Sequence, residues 1–490
     1  MKPLTFFIFI IGLSCTINLS AQTMSLDECR KLALQSNKAL AIGKAKVEKA
    51  SYNSKAARTN FLPKVSVMAS YTRTGDEISL LSDDQKSALS TMGTNVSTQF
   101  SQLAGQIVQN YPDLASLIQV AGDYLPQIGT TLNSVGQQLV DALHTDTRNM
   151  SIGAVMLTQP LYMGGKIRAY DRITRYSEHI AELQLRAEEQ DVILCVDQAY
   201  WQVVSLANKR KLALNYRDML QHLDDDMDKM IQEGVATRAN GLSVSVKLNE
   251  AEMSLTKVEN GLALSRMLLC QICGLPLDTP VSLSDESLDD LPTLIEDVEA
   301  DATAAFANRP ELLQLSTATD IYKEKINIEK SSFLPQLALT GGYLTTNPSL
   351  TNGFERRFRG TWAVGITFKM PLWNWGEGKY KVRAAKAEAK VADYQLAEAR
   401  EKVELQVNQS TFRVNEANKQ YGLSLKNLQK AEENLRTAQV GFKEGVVTTS
   451  DLLAAQTAWM QAHSEKIDAQ IDVKLTRATL KKALGTLSEE

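Results

Sequence analysis

The stretch TWAVGITFKMPLWNWGEG, Thr361 to Gly378, decides how the rest of the chain is read. Trp362, Val364, Ile366, Phe368, Met370 and Leu372 alternate with Ala363, Gly365, Thr367 and Lys369, a period of two that predicts a strand over 361–373. One face of that strand is apolar enough for lipid and the other suits water. Gly376-Glu377-Gly378 then breaks the pattern, and no proline follows anywhere downstream. The spacing therefore predicts one helix over 379–443, about 100 Å long at about 1.5 Å per residue.

The same order of elements occurs twice. Pro160 pairs with Pro371, Gln198 with Gln409, Glu233-Gly234-Val235 with Glu444-Gly445-Val446 and Gly274 with Gly485, all at one constant offset of 211. Upstream, Phe61-Leu62-Pro63 pairs with Phe333-Leu334-Pro335 at an offset of 272, so the first copy carries an insert as long as the difference between the offsets, 272 − 211 = 61. The first repeat spans 22–290: a helix opened by the capping box Ser25 to Glu28, a strand, an inserted segment at about 73–149, and a strand leading to Pro160. A long helix over 166–232 and a return helix over 237–273 complete it. The second repeat spans 291–490, with a helix over 300–332, strands over 334–346 and 361–373, a long helix over 379–443 and a return helix over 448–486. In the second long helix Ala385, Ala389, Ala392, Leu396, Ala399 and Val403 step by fours and threes. That is a coiled-coil seam with small knobs, and a gapless match over such a length preserves its register.

Residues 1–21 read as a secretory signal: Lys2, the apolar run Leu4 to Leu13, and the small-residue exit Ser20-Ala21. A lipoprotein reading at Cys15 competes with it, although Gly12 stands where a lipobox wants a branched apolar residue. Basic residues number 53 and acidic ones 57, a net charge of −4, which offers no electrostatic case for nucleic acid. Cys270 and Cys273 form a lone C-x-x-C, read as core packing, and the four histidines are scattered. No nucleophile elbow, phosphate-binding glycine loop or metal constellation is present, so neither an enzyme nor a cofactor is expected.

Four strands cannot close a barrel, and an open sheet in lipid leaves edge groups unsatisfied. Closure must come from other chains. Two chains would give eight strands and a filled interior, whereas three give twelve strands and a lumen. The competing reading is a periplasmic coiled-coil adaptor or scaffold without a pore. Trp362, Phe368 and Trp373 argue against it, because an aromatic girdle belongs at a membrane interface.

Over essentially all of the mature sequence the chain resembles the TolC-like outer-membrane efflux proteins. The carriers are Asn308-Arg309-Pro310-Glu311-Leu312, the two FLP strand openings, Met370 to Gly376, the paired E-G-V turns and Ala483 to Leu487. The resemblance implies a mainly α protein with membrane β: a homotrimer whose 12-stranded barrel, four strands per chain, sits in the outer membrane. A coiled-coil α-helical tunnel continues it into the periplasm. It also implies a passive conduit for efflux or type I secretion, served by a periplasmic adaptor and an inner-membrane pump.

The resemblance places the E-G-V turns at the periplasmic entrance. Gly234, Val235, Gly445 and Val446 are then adaptor-contact positions, and Asp451, Glu444, Glu233, Arg238 and Asn240 are entrance residues that become rings of three. Asp451 matches an acidic position that narrows the entrance in the family. Ala454, Phe442, Val447 and Asn240 depart from the family's other gate positions, and Asp451 at a helix start also has a purely stabilising reading. Asp224-Asp225-Asp226 with Asp228 reads as a solvated face or a cation-attracting patch. The insert carries Leu103, Ile107, Leu114, Leu117 and Leu125 at amphipathic spacing, which suggests short helices forming either a cap or plug over the exit or a packed surface loop.

Overall fold

The computed structural model describes residues 23–488 except 74, 76–91, 111–119, 121, 123, 133, 135–148, 289–290, 294, 350 and 352–355. The signal segment, Cys15, Leu114 and Leu117 lie outside the described residues, as does much of the insert. Two compact units are formed, one drawn from Tyr52–Arg175 and Ile321–Ala389, the other from Met1–Ser51, Tyr176–Asp320 and Lys390–Glu490.

The first unit is built on an antiparallel sheet of four strands: β2 (Lys64–Arg73), β3 (Asn149–Met163), β5 (Gln336–Asn347) and β6 (Arg359–Lys369), in the order β2-β3-β5-β6. A register row runs across all four, Val67 to Val155 to Tyr343 to Trp362, and every member is exposed. The period of two thus puts one apolar face outward on each strand. Pro160 has no N–H to give a central strand, and the register shifts between it and Tyr162. β6 stops at Lys369, two positions before Pro371, so Met370 to Trp373 lie beyond the strand, shortening the 361–373 expectation. Within the insert, helix α3 spans Met92–Asn110, and residues 124–132 are helical.

The second unit is helical. It holds α1 (Leu26–Ser36) and, in sequence, most of α4 (Lys166–Gln232), with α5 (Arg238–Cys273), α6 (Ala302–Asn308), most of α8 (Glu377–Lys443), and α9 (Thr449–Ala483). A two-stranded parallel pair, β1 (Thr23–Met24) with β4 (Ser282–Leu283), pins the start of the described chain. The buried seam repeats between copies: Val196 matches Val407 and Val203 matches Val414 at the offset of the duplication, and all four are fully buried. Asp197, also buried, accepts from Arg30 Nε at 2.8 Å and Nη2 at 2.9 Å, tying α1 to α4 through a bidentate pair. Amide side chains strap down the segment between repeats: Asn415 Oδ1 accepts from Val298 N at 2.9 Å, and Gln470 Nε2 donates to Leu291 O at 2.6 Å.

The two helices expected to run unbroken, from Ser25 to about Asn60 and over 300–332, are each divided. α1 ends at Ser36 and α2 (Lys38–Arg58) follows; α6 ends at Asn308 and α7 (Pro310–Ser331) follows. Asn37 and Arg309 are both extended, and 309 − 37 = 272, the offset between the two FLP motifs. Arg309 precedes a proline, which disfavours the α region. Asn37 has no such neighbour; its Oδ1 accepts from Ala39 N at 2.8 Å and its Nδ2 donates to Ile272 O at 3.3 Å. Side-chain hydrogen bonds do in one copy what proline does in the other.

Candidate functional site

The expected entrance residues sit where the long helices reverse. α4 is closed off by a turn at Gly234 (φ 79°), with Val235 N donating to Met230 O at 2.8 Å and Gly234 N to Ile231 O at 3.1 Å. α8 ends the same way at the matching place in the second copy: Gly445 (φ 75°), Val446 N to Gly441 O at 2.8 Å, and Gly445 N to Phe442 O at 3.1 Å. Both are Schellman ends, which need a residue in the left-handed region. Val235 and Val446, at 70% and 81% exposure, are presented to solvent by these turns.

The return helices are capped by Thr237 and Thr448, each accepting at Oγ1 from the backbone three positions on. Asn240 and Asp451 are those residues, with N to Oγ1 distances of 3.3 Å and 3.2 Å. Thr448 Oγ1 also donates to Asp451 Oδ2 at 2.7 Å. The Asp451 carboxylate is therefore engaged in a cap at the positive end of α9 while remaining exposed. Glu233, Arg238 and Glu444 are exposed, and among the described residues none of them joins a salt bridge. Arg238 and Asn240 lie on the first hairpin tip with Glu233; Glu444 and Asp451 lie on the second. Beneath the tips a core of Met227, Val244, Leu452 and Leu453 packs against Phe442 and Val447, so these two are packing residues.

A feature the sequence reading missed lies beside this core: a groove of about 770 Å³ lined by Leu242, Val246, Lys247, Leu453, Thr457 and Gln461. Leu242 and Val246 are four apart on α5 and both exposed, the only sequence signal for it. The acidic run is divided in its contacts, since Ser245 Oγ donates to Asp224 Oδ1 at 2.7 Å and Lys229 pairs with Asp226 at 3.0 Å. Trp362 and Phe368 stand on the apolar face of β6 at 74% and 63% exposure, whereas Trp373 lies past the strand and packs edge-on against Trp375, ring centres 5.8 Å apart. Cys270 and Cys273 are buried in the helical core. Among the described residues no group of side chains could hold a metal ion, and no helix is long and apolar enough to cross a membrane.

α8 also carries an uncovered apolar stripe. Val391, Tyr394, Leu405, Phe412 and Leu423 are exposed, and every spacing from Val391 is close to a whole number of α-helical turns. They share one face.

A family profile described as outer membrane efflux protein matches residues 114–275 and 302–486. The alkaline protease secretion protein AprF of Pseudomonas aeruginosa is 23% identical over 388 residues, covering 74% of this chain and 77% of that protein. The outer membrane protein TolC of Escherichia coli is 22% identical over 379 residues, covering 75% of this chain and 76% of TolC. Among solved structures, the outer membrane protein VceC of Vibrio cholerae superposes with a TM-score of 0.70 at 15% identity, covering 94% of this chain and 96% of VceC.

Proposed function

The chain belongs to the outer membrane efflux protein family, and on that footing we propose that three copies form a gated conduit whose periplasmic entrance is built from the two helix tips. The protein is an outer-membrane channel component of efflux and type I secretion systems. Its family works as passive channels rather than as enzymes.

The observation that carries the trimer is the sheet. Its four strands of 10 to 15 residues are long enough to cross an outer membrane, their outward face is apolar, and β2 and β6 have no strand partner beyond the sheet among the described residues. In lipid those edges must pair with another copy of the chain, and twelve strands are the smallest closure that leaves a lumen. The stripe on α8 supports the same assembly, because a neighbouring protomer covers an apolar face that this chain leaves bare. A scaffold without a pore would have no use for the lipid-facing row Val67, Val155, Tyr343 and Trp362.

Partners follow from the tips. The family acts with periplasmic adaptors and inner-membrane pumps. In this chain Gly234, Val235, Gly445 and Val446, with the groove between α5 and α9, form the adaptor surface, since exposed valines at helix reversals beside an apolar groove suit a helical partner. Asp451, Glu444, Glu233, Arg238 and Asn240 form the entrance. Reconstitution of the detergent-extracted protein in a planar bilayer tests the conduit: discrete conductance steps are expected, and protein that inserts without conductance would contradict it.

A further inference from the structure

The sheet has an inner face as well as a lipid face, and part of the insert lies on it. Thr340 on β5 and Thr367 on β6 alternate with the exposed apolar residues of their strands and so point the other way. Tyr124, at the start of the helical residues 124–132, hydrogen-bonds through its hydroxyl to Thr340 Oγ1 and, at 2.8 Å, to Thr367 Oγ1. Leu125 and Leu132 on the same helix are buried. The contact is deep. Thr340 lies seven positions before the loop end of β5 at Asn347, about 23 Å along the strand at about 3.3 Å per residue.

The sheet makes room for this segment. Next to the contact, at three successive paired positions of that face, β5 presents Ala338, Thr340 and Gly342, and β6 presents Thr367, Gly365 and Ala363, none larger than threonine. Gly365 would place a Cβ 3.6 Å from the Tyr124 hydroxyl, an ordinary contact distance. Gly129 comes close enough to Gly93 of α3 that a Cβ would sit 3.5 Å from its carbonyl oxygen, so the two helical pieces of the insert pack on each other.

Resting on the trimeric barrel proposed above, we propose that the insert is a plug: residues 124–132 of each copy narrow the barrel lumen and set its outward permeability, with Tyr124 as the anchoring residue. Twelve strands about 4.8 Å apart and tilted about 40° enclose a ring roughly 24 Å across. That span is measured between backbones, so once the inward residues of the wall are counted, one helix about 10 Å wide from each copy takes up most of the bore. The three plugs therefore occupy most of the lumen and restrict, without sealing, the water path beside them. Their anchor is built for release, because hydroxyl-to-hydroxyl bonds are readily exchanged for bonds to water when cargo arrives.

The test reads access from outside, independently of the periplasmic entrance. In a Cys195→Ser background, Thr367→Cys is exposed on intact cells to a membrane-impermeant polyethylene glycol maleimide, with the full insert and with Ser79 to Leu143 deleted. Slow labelling of the full chain and several-fold faster labelling of the deleted chain are expected. Equal rates, or no labelling of either, would overturn the plug. A second variant needs no deletion: in the same background, Tyr124→Cys with Thr367→Cys, treated on intact cells with a short bifunctional maleimide that spans the length of the tyrosine ring lost, should yield a cross-link within one protomer, and its absence overturns the placement. Particle mass separates the two levels, since a wild-type protein that is not trimeric fails the barrel reading itself.

Discussion

Asp451 serves two roles that a pair of substitutions separates. Its carboxylate accepts from the Thr448 hydroxyl at 2.7 Å, which an asparagine amide oxygen can also do, whereas only aspartate supplies a charge to a ring of three. Asp451→Asn should therefore keep the cap and the melting temperature while reducing cation selectivity in a bilayer. Asp451→Ala should lose selectivity together with about 0.5 kcal/mol of helix-end stabilisation. Wild-type ion selectivity in both variants would remove Asp451 from the entrance. His463 gives a pH-dependent test. Burial holds its pKa below the ordinary value of 6.5, against an opposing pull from Glu432, and its ring packs on Trp459 with centres 4.8 Å apart. A lowered folded pKa means that the unfolded chain binds the proton more readily. The stabilisation is thus complete above the ordinary value and is lost as pH falls from it through the folded value. Melting curves from about pH 7.5 down to about pH 5.5 should show a steeper loss for wild type than for His463→Gln, spanning the ordinary histidine range. Parallel curves would contradict the burial effect.

Among the elements, four helix ends share one design. Gly234, Gly274, Gly445 and Gly485 all lie at φ between 73° and 79° and all close Schellman turns. Their surroundings differ. Nothing lies within 4 Å of a Cβ added at Gly445, whereas at Gly485 it would meet Arg309 N and Asn308 C at 2.7 Å. Gly274 meets Ser36 Cβ at 2.6 Å, and 308 − 36 = 272, so the same contact recurs in each repeat. Gly445→Ala should cost only the left-handed strain, about 1–2 kcal/mol, while Gly485→Ala adds a backbone clash of about 1–3 kcal/mol. Thermal denaturation should rank Gly485→Ala well below Gly445→Ala, and equal midpoints would argue that the C-terminal turn relaxes freely. The recurrence was visible in the sequence as paired glycines; their unequal tolerance was not, because it depends on Ser36 and Asn308, each remote in sequence from the glycine it meets.

For the whole molecule, the decisive prediction is particle mass. Light scattering of the detergent-extracted protein, with detergent subtracted, should give three chains per particle from the outer-membrane fraction; a soluble periplasmic monomer would contradict the conduit. The sequence by itself determined the class of fold: a period of two in Trp362 to Phe368, long stretches without proline after Gly165 and Gly378, and two offsets that declare a duplication. These are local periodicities, and local periodicity is set by backbone geometry alone. Even the family was legible there, through motifs whose order is itself sequence. Only the tertiary structure decided the break at Asn37, the long-range pair of Arg30 with Asp197 and the docking of Tyr124 on Thr340 and Thr367. Each depends on a side chain meeting a partner far away in the chain, and no residue pattern near Asn37, Arg30 or Tyr124 announces that partner.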